Sequence, residues 1–332
     1  MAKTTTKTAG TKKSTIDRLG GQKVIVLLVV IALFIFFCIM SPNFRKYTTI
    51  VNILDFSYYI SLMAIGVAFT LMTGGVDLSI GTGLICYSLF GGYLIVHKDL
   101  PVLVALLACL LLSILIGTLN GFLVAFMDLP PFLATLCTCM ITRGLGSLLS
   151  GGFGVSWPSS LETEGWFRKI FRVTVDGQNI PVGIIVVVIL VLLMNFVLNH
   201  TKIGRYTIAI GSNKEATKLA GVNVKFYHVF AYVISGLFAG LAAIAYSGTY
   251  VTIYPGSGAG FELDAIGGAI VGGVSATGGV GSITGAFLGV LVITLMKVGL
   301  PFIGLQANWQ QIFTGLVLIA AVLVDVVKKK KN

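Results

Sequence analysis

Long apolar stretches alternate with short polar ones along the whole chain. They fall at about residues 24–41, 50–72, 80–96, 102–126, 131–150, 182–198, 229–247, 264–275, 281–299 and 308–327. A helix crossing a bilayer needs roughly 20 apolar residues, which most of these runs approach, whereas 264–275 is too short to span alone. The pattern predicts an all-α, polytopic transmembrane helical bundle of about ten membrane segments with broken helices. An even number of crossings puts both chain ends on one side. The segment 199–228 then shares that side and the segment 151–181 faces the other, with Trp157, Trp166 and Phe167 expected at the membrane–water boundary.

Composition agrees with this pattern. Of the 332 residues 56% are hydrophobic and 11% charged, against about 25% charged in a soluble domain. That excludes a cytosolic enzyme, a disordered regulator and a nucleic-acid binder. The formal net charge of +11 is explained by its placement. Lys3, Lys7, Lys12, Lys13, Arg18 and Lys23 precede the first apolar run, and Lys328 to Lys331 follow the last. Lys202, Arg205, Lys214, Lys218 and Lys225 lie within 199–228. Basic clusters beside apolar spans mark the cytoplasmic side. The expected organisation is therefore a basic cytoplasmic tail over 1–23, a transmembrane domain over 24–327 and a second basic cytoplasmic tail over 328–332. Within the membrane domain, 199–228 is inside and 151–181 outside. The first run ends in Cys38-Ile39-Met40-Ser41-Pro42 without a small-residue cleavage pattern, so it reads as a retained helix rather than a secretory signal. The five cysteines all lie inside apolar runs and read as small apolar fillers, not as metal ligands or disulfides.

Glycine makes up 41 of the 332 residues, about 12%, against an average of about 7%. Several are four apart: Gly117 and Gly121; Gly236 and Gly240; Gly268 and Gly272; Gly281, Gly285 and Gly289. Such spacing lets helix backbones approach closely in lipid. A short repeat also emerges. Thr73-Gly74-Gly75-Val76 recurs as Thr277-Gly278-Gly279-Val280, and Gly81 recurs as Gly285 at the same offset. Glycine-interrupted segments at corresponding places in two halves are a pointer to a transport pathway.

A few polar residues stand out against the apolar background. Gly74-Gly75 breaks a helix, and Asp77 is placed to cap the next one through its free backbone N–H groups. A carboxylate between two apolar runs needs such partners or water, so Asp77 is a cap, a pathway-lining or gating residue, or a site of proton or ion coupling. Glu262 and Asp264 precede the 264–275 run, where negative charge suits a helix N-terminus. Being two apart they do not share a helix face, so they are not a paired-carboxylate catalyst. Arg143, in a mostly apolar run, and Asn120 complete the buried-looking polar set, and Asp77 is one possible partner for Arg143. In 199–228, Ser212 and Glu215 have capping-box spacing, and Gly221 suits a helix C-terminus. They predict a short helix of about eight residues, which needs tertiary support or a docking partner. No phosphate-binding G-x-x-x-x-G-K-[ST] loop, G-x-S-x-G or H-E-x-x-H pattern occurs, and His97, His200 and His228 form no cluster. The chain offers no catalytic, cofactor or metal site.

These motifs resemble those of sugar-importer permeases of the ATP-binding cassette class, the ribose, galactose and xylose group. Gly74-Gly75-Val76-Asp77-Leu78-Ser79-Ile80-Gly81 is similar to one block of that family. Gly211-Ser212-Asn213-Lys214-Glu215-Ala216 through Gly221-Val222-Asn223-Val224 resembles its ATPase-coupling loop, with Thr217 in place of the usual second alanine. Glu262-Leu263-Asp264-Ala265-Ile266, Gly272-Gly273 and Gly278-Gly279-Val280-Gly281 resemble a third block. Pro131-Phe132, Thr135-Leu136 and Arg143-Gly144 match as well, so the likeness covers about 40–327. The resemblance implies a homodimer in the bacterial inner membrane, both termini cytoplasmic, served by a cytoplasmic ATPase and an external sugar-binding protein. It places Asn213, Lys214, Glu215, Ala216, Lys218 and Gly221 at the ATPase interface. Gly74, Gly75, Asp77, Ser79, Asn120, Arg143, Glu262 and Asp264 become pathway or gating residues. Competing readings are an ion-coupled secondary transporter using Asp77 or Asp264, and a same-mechanism permease for another solute such as branched-chain amino acids. A membrane-embedded enzyme is disfavoured by the missing catalytic constellation.

Overall fold

The structure, a computed structural model, describes residues 14–330, so Lys3, Lys7, Lys12, Lys13 and Lys331 lie outside the described residues. The apolar runs become helices α1 (Ser14–Met40), α2 (Tyr47–Met72), α3 (Ile80–Lys98), α4 (Val102–Ala125), α5 (Pro131–Leu149) and α6 (Gly183–His200). There follow α7 (Lys202–Ser212), α8 (Lys214–Leu219), α9 (Val224–Thr249), α10 (Phe261–Val271), α11 (Ile283–Gly299) and α12 (Ala307–Lys330). Two small antiparallel ribbons complete the described residues. One pairs β1 (Val155–Ser156) with β4 (Thr252–Ile253); the other pairs β2 (Val173–Val175) with β3 (Gln178–Ile180).

Nine helices among the described residues are long and apolar enough to cross a membrane, not about ten: α1 to α6, α9, α11 and α12, so the even count that put both chain ends on one side is not met by full-length spans. The run at 264–275 forms the 11-residue α10, about 16 Å at 1.5 Å per residue, roughly half of the hydrocarbon core. Gly272 ends it, Gly273 takes a φ of +97°, and the irregular segment 272–282 carries the chain onward. Irregular backbone at membrane depth is tolerated where protein surrounds it. Two expected tails are partly helical, because α1 already begins at Ser14 and α12 continues to Lys330.

The hub is α2, buried almost continuously from Ser57 to Met72, as a helix apolar on all sides must be. Around it stand α3, α6, α9, α10 and α11. Outward faces carry the exposed apolar side chains of a lipid-facing belt, among them Leu111, Leu115, Met140, Ile189 and Leu192. The glycines four apart lie where helices cross. A Cβ on Gly117 would stand 3.0 Å from the Gly236 Cα, and one on Gly289 would strike the Gly268 carbonyl.

The segment 151–181 is folded rather than a loose boundary strip. Trp157 and Phe167, expected at the membrane–water boundary, are 2% and 0% exposed in the core, whereas Trp166 is 44% exposed. Trp157 donates its indole N–H to the Ser88 carbonyl at 3.0 Å. The Arg168 guanidinium donates to the carbonyls of Pro158, Gly248 and Tyr250 at 2.6, 3.1 and 3.3 Å, fixing the segment on the C-terminal end of α9. Burial, with the Arg172 charge second, lowers Arg168 to about 10, still charged near neutrality. Arg172 forms an ion pair with the buried Asp55 of α2.

Candidate functional site

The first helix break is built by Thr73 to Ser79. Gly74, at φ +85°, stops α2, and the Gly75 N–H returns to the Thr70 carbonyl at 3.0 Å. Glycine at the left-handed position is the usual device for such a stop. A Cβ on Gly75 would sit 2.5 Å from the Tyr232 hydroxyl, which donates to the Val76 carbonyl at 3.3 Å. Asp77 then accepts on Oδ1 from the Ser79 N–H at 3.0 Å and the Ser79 hydroxyl at 2.6 Å. Its Oδ2 accepts from the Ser235 hydroxyl of α9 at 2.7 Å. Asn120 of α4 donates to Ser79 Oγ at 2.9 Å and accepts from Thr138 of α5 at 2.8 Å.

Asp77, Ser79 and Asn120 are thereby brought together in one buried network that ties the break to α4, α5 and α9. Ser235 and Thr138 belong to it too, and nothing in their sequence context marks them among the other hydroxyls of apolar helices. Asp77 does not pair with Arg143, because hydroxyl and amide donors occupy both its carboxylate oxygens.

The second break lies at 272–282, and the two copies of the repeat meet. Gly278 and Gly279 take φ of +84° and +82°, and the Gly279 N–H donates to the Met72 carbonyl at 2.9 Å. A Cβ on Gly278 would stand 2.8 Å from the Gly74 N, and one on Gly211 would stand 2.5 Å from the Gly279 N. Ser212 Oγ donates to the carbonyls of Ile208 at 2.9 Å and Gly279 at 3.4 Å. Both breaks therefore converge on the C-terminal end of α7.

From that end the chain turns directly into α8. The segment 199–228 is helical over α7 and α8, and α8 has six residues rather than about eight. Its N-cap is Asn213, which accepts from the Ala216 N–H at 2.9 Å; Ser212 instead bonds back into α7. Thr217 is buried against the protein, while Lys214, Glu215, Ala216 and Lys218 are exposed. Gly221, at φ +80°, ends the helix turn. Leu219, which sequence reasoning passed over, is 88% exposed, an apolar tip beside charged neighbours.

Glu262, Asp264 and Arg143 do not join this network. Asp264 in the first turn of α10 pairs with Lys297 of α11, whose ammonium also lies over the Phe56 ring, 5.7 Å from its centroid. Lys297 is the one charged residue of α11, a signal that was legible and overlooked. Glu262 packs where a Cβ of residue 81 would stand, so Gly81 is required for α3 to approach α10. Arg143 is exposed on α5 and edges a narrow cleft with Thr82, Thr142 and Ser257. Among the described residues no three His, Cys, Asp or Glu side chains gather as metal ligands.

A family model described as "Branched-chain amino acid transport system / permease component" matches residues 49–322. The chain belongs to this permease family. The ribose import permease protein RbsC of Escherichia coli (strain K12) is 32% identical to the permease, over 92% of each chain. RbsC of Bacillus subtilis (strain 168) is 34% identical, again over 92% of each. The galactose/methyl galactoside import permease protein MglC of Haemophilus influenzae is 32% identical, over 92% of the permease and 94% of that protein. No solved structure matches. The permease is thus a multi-pass membrane component of the ATP-binding cassette importer class.

Proposed function

We propose that the chain is the permease subunit of an ATP-driven monosaccharide importer in a bacterial inner membrane. It works as a homodimer with both termini cytoplasmic. An external binding protein delivers a pentose or hexose, and a cytoplasmic ATPase subunit drives alternating access. The observation that carries the substrate class is the end-to-end likeness to ribose and galactose import permeases, to which a fructose import permease of Rhizobium meliloti adds 31% identity over 307 residues. In this reading Asn213, Lys214, Glu215, Ala216, Lys218 and Gly221 form the ATPase-facing element, with Leu219 as its apolar contact. Gly74, Gly75, Asp77, Ser79 and Asn120 form the gate that α8 moves. Arg143, an exposed charge on α5 that acts electrostatically on the Glu262 carboxylate, faces the water-filled pathway, because lipid would be costly there. Glu262 and Asp264 hold α10 beside it.

The test is uptake of radiolabelled ribose, galactose and fructose by cells carrying the importer, with and without this permease. Accumulation of at least one sugar that disappears with the permease supports the proposal. No permease-dependent uptake of any of the three, alongside uptake of branched-chain amino acids, contradicts it.

A further inference from the structure

The second break has an anchor outside the elements discussed so far. Asp325, the one acidic residue of α12, reaches the 272–282 segment with a single carboxylate oxygen. That oxygen accepts from the Ser275 hydroxyl at 2.9 Å and from the Ala276 N–H at 3.1 Å. Ser275 also closes the turn: its N–H donates to the Val280 carbonyl at 2.9 Å, and its carbonyl accepts from Gly278 at 3.3 Å. Beyond this turn the Gly279 N–H meets Met72, and Ser212 meets Gly279. Gly278 and Gly279 have no side chains to fix them, so the turn is positioned from its two sides. On one side stand the ends of α2 and α7; on the other stands Asp325. α12 itself packs on the bundle through Phe313, Leu318, Ala321 and Val322.

We propose that Asp325 is a positioning residue for transport. Through its carboxylate, α12 holds the second break against the end of α7, so that displacement of α8 moves both breaks together instead of letting the second slip. This rests on the importer reading above. Removing the acceptor leaves the Ala276 N–H unpaired and the Ser275 hydroxyl with Thr277 alone as its side-chain partner, and a turn held by fewer bonds opens locally without unfolding the bundle. Asp325→Asn keeps an oxygen that accepts both bonds, so the role belongs to the acceptor rather than to the charge.

The experiment compares wild type, Asp325→Ala, Asp325→Asn and Ser275→Ala in the full-length protein. It reads uptake of labelled ribose, galactose and fructose in cells, co-purification of the ATPase, and amide hydrogen exchange of the solubilised permease over 275–281. Expected for Asp325→Ala is a loss of uptake and a rise in exchange at 275–281 of about tenfold each, for one lost buried acceptor, with ATPase co-purification unchanged. Asp325→Asn stays close to wild type in all three. Uptake near wild type in Asp325→Ala, loss of the ATPase together with uptake, or an Asn variant as impaired as the Ala variant overturns the proposal. Should Asp325→Ala fail to accumulate, Ser275→Ala removes one of the two bonds to Asp325, together with the Ser275 contacts to the Thr277 hydroxyl and N–H, without altering α12, and unchanged exchange at 275–281 overturns the proposal equally. If wild type transports none of the three sugars, the sugar-importer reading fails by itself, while the exchange comparison still decides the role of Asp325.

Discussion

A carboxylate as deep as that of Asp77 is tolerated because three donors are aimed at it. Two serine hydroxyls and a backbone N–H share its oxygens, and Asn120 and Thr138 extend the network across three helices. Asp264 follows a different rule, with the partly buried Lys297 ammonium as its counter-charge. Removing one partner of a buried pair leaves an uncompensated charge, at a cost of about 3–5 kcal/mol, whereas replacing both by apolar residues is often near neutral. Lys297→Met should therefore lower the thermal unfolding midpoint of the purified protein sharply, and adding Asp264→Leu should restore most of it. A double variant no more stable than the worse single one contradicts that pairing. At this scale the sequence exposes what is costly, so Asp77, Asn120 and Asp264 were legible as isolated polar residues in apolar surroundings. Their partners were not. Ser235 and Thr138 look like any helix hydroxyl, and the pairing of Asp55 with Arg172 depends on how a 117-residue separation folds.

At the scale of elements, α8 is too short to hold itself in water. It persists because Asn213 caps it, Thr217 buries against the bundle, and Gly221 turns the chain back. Asn213→Ala should cost about 1 kcal/mol of local stability, seen as faster hydrogen exchange over 214–220 and weaker ATPase retention, with Asn213→Ser restoring both. Unchanged exchange in the alanine variant would show that packing, not the cap, holds α8. The existence of this helix was legible because a cap residue, an acidic first turn and a glycine stop occur in order. Its exact start was not, since Ser212 and Asn213 are both good caps and only the bonds of Ser212 back to Ile208 and across to Gly279 assign it to α7. The half-length α10 was legible in the same way: a run too short to span has to end inside the protein, and the paired glycines mark where.

For the whole molecule, the order of the spans followed from apolar run lengths, because lipid imposes length directly on each helix, but ten runs yield nine helices long enough to cross and the short α10. Which helices touch did not follow, and that is where the site arises. The repeat of Thr-Gly-Gly-Val was visible as two separate strings; that Gly74, Gly278 and Gly211 meet at one point is a property of the fold. The junction joins both breaks to α8 within a few residues, so a force on α8 is delivered where both helices are already interrupted. That arrangement suits a permease moved from outside its own chain.

The claim that α8 is the grip of a cytoplasmic ATPase is tested most directly by co-purification. Glu215 is exposed and makes no contact that the fold requires, so Glu215→Arg should leave membrane insertion and the elution profile unchanged. The account predicts that wild type retains a cytoplasmic ATPase after solubilisation and that Glu215→Arg loses most of it. A wild-type permease that purifies without an ATPase and still transports in proteoliposomes under an ion gradient would contradict the account.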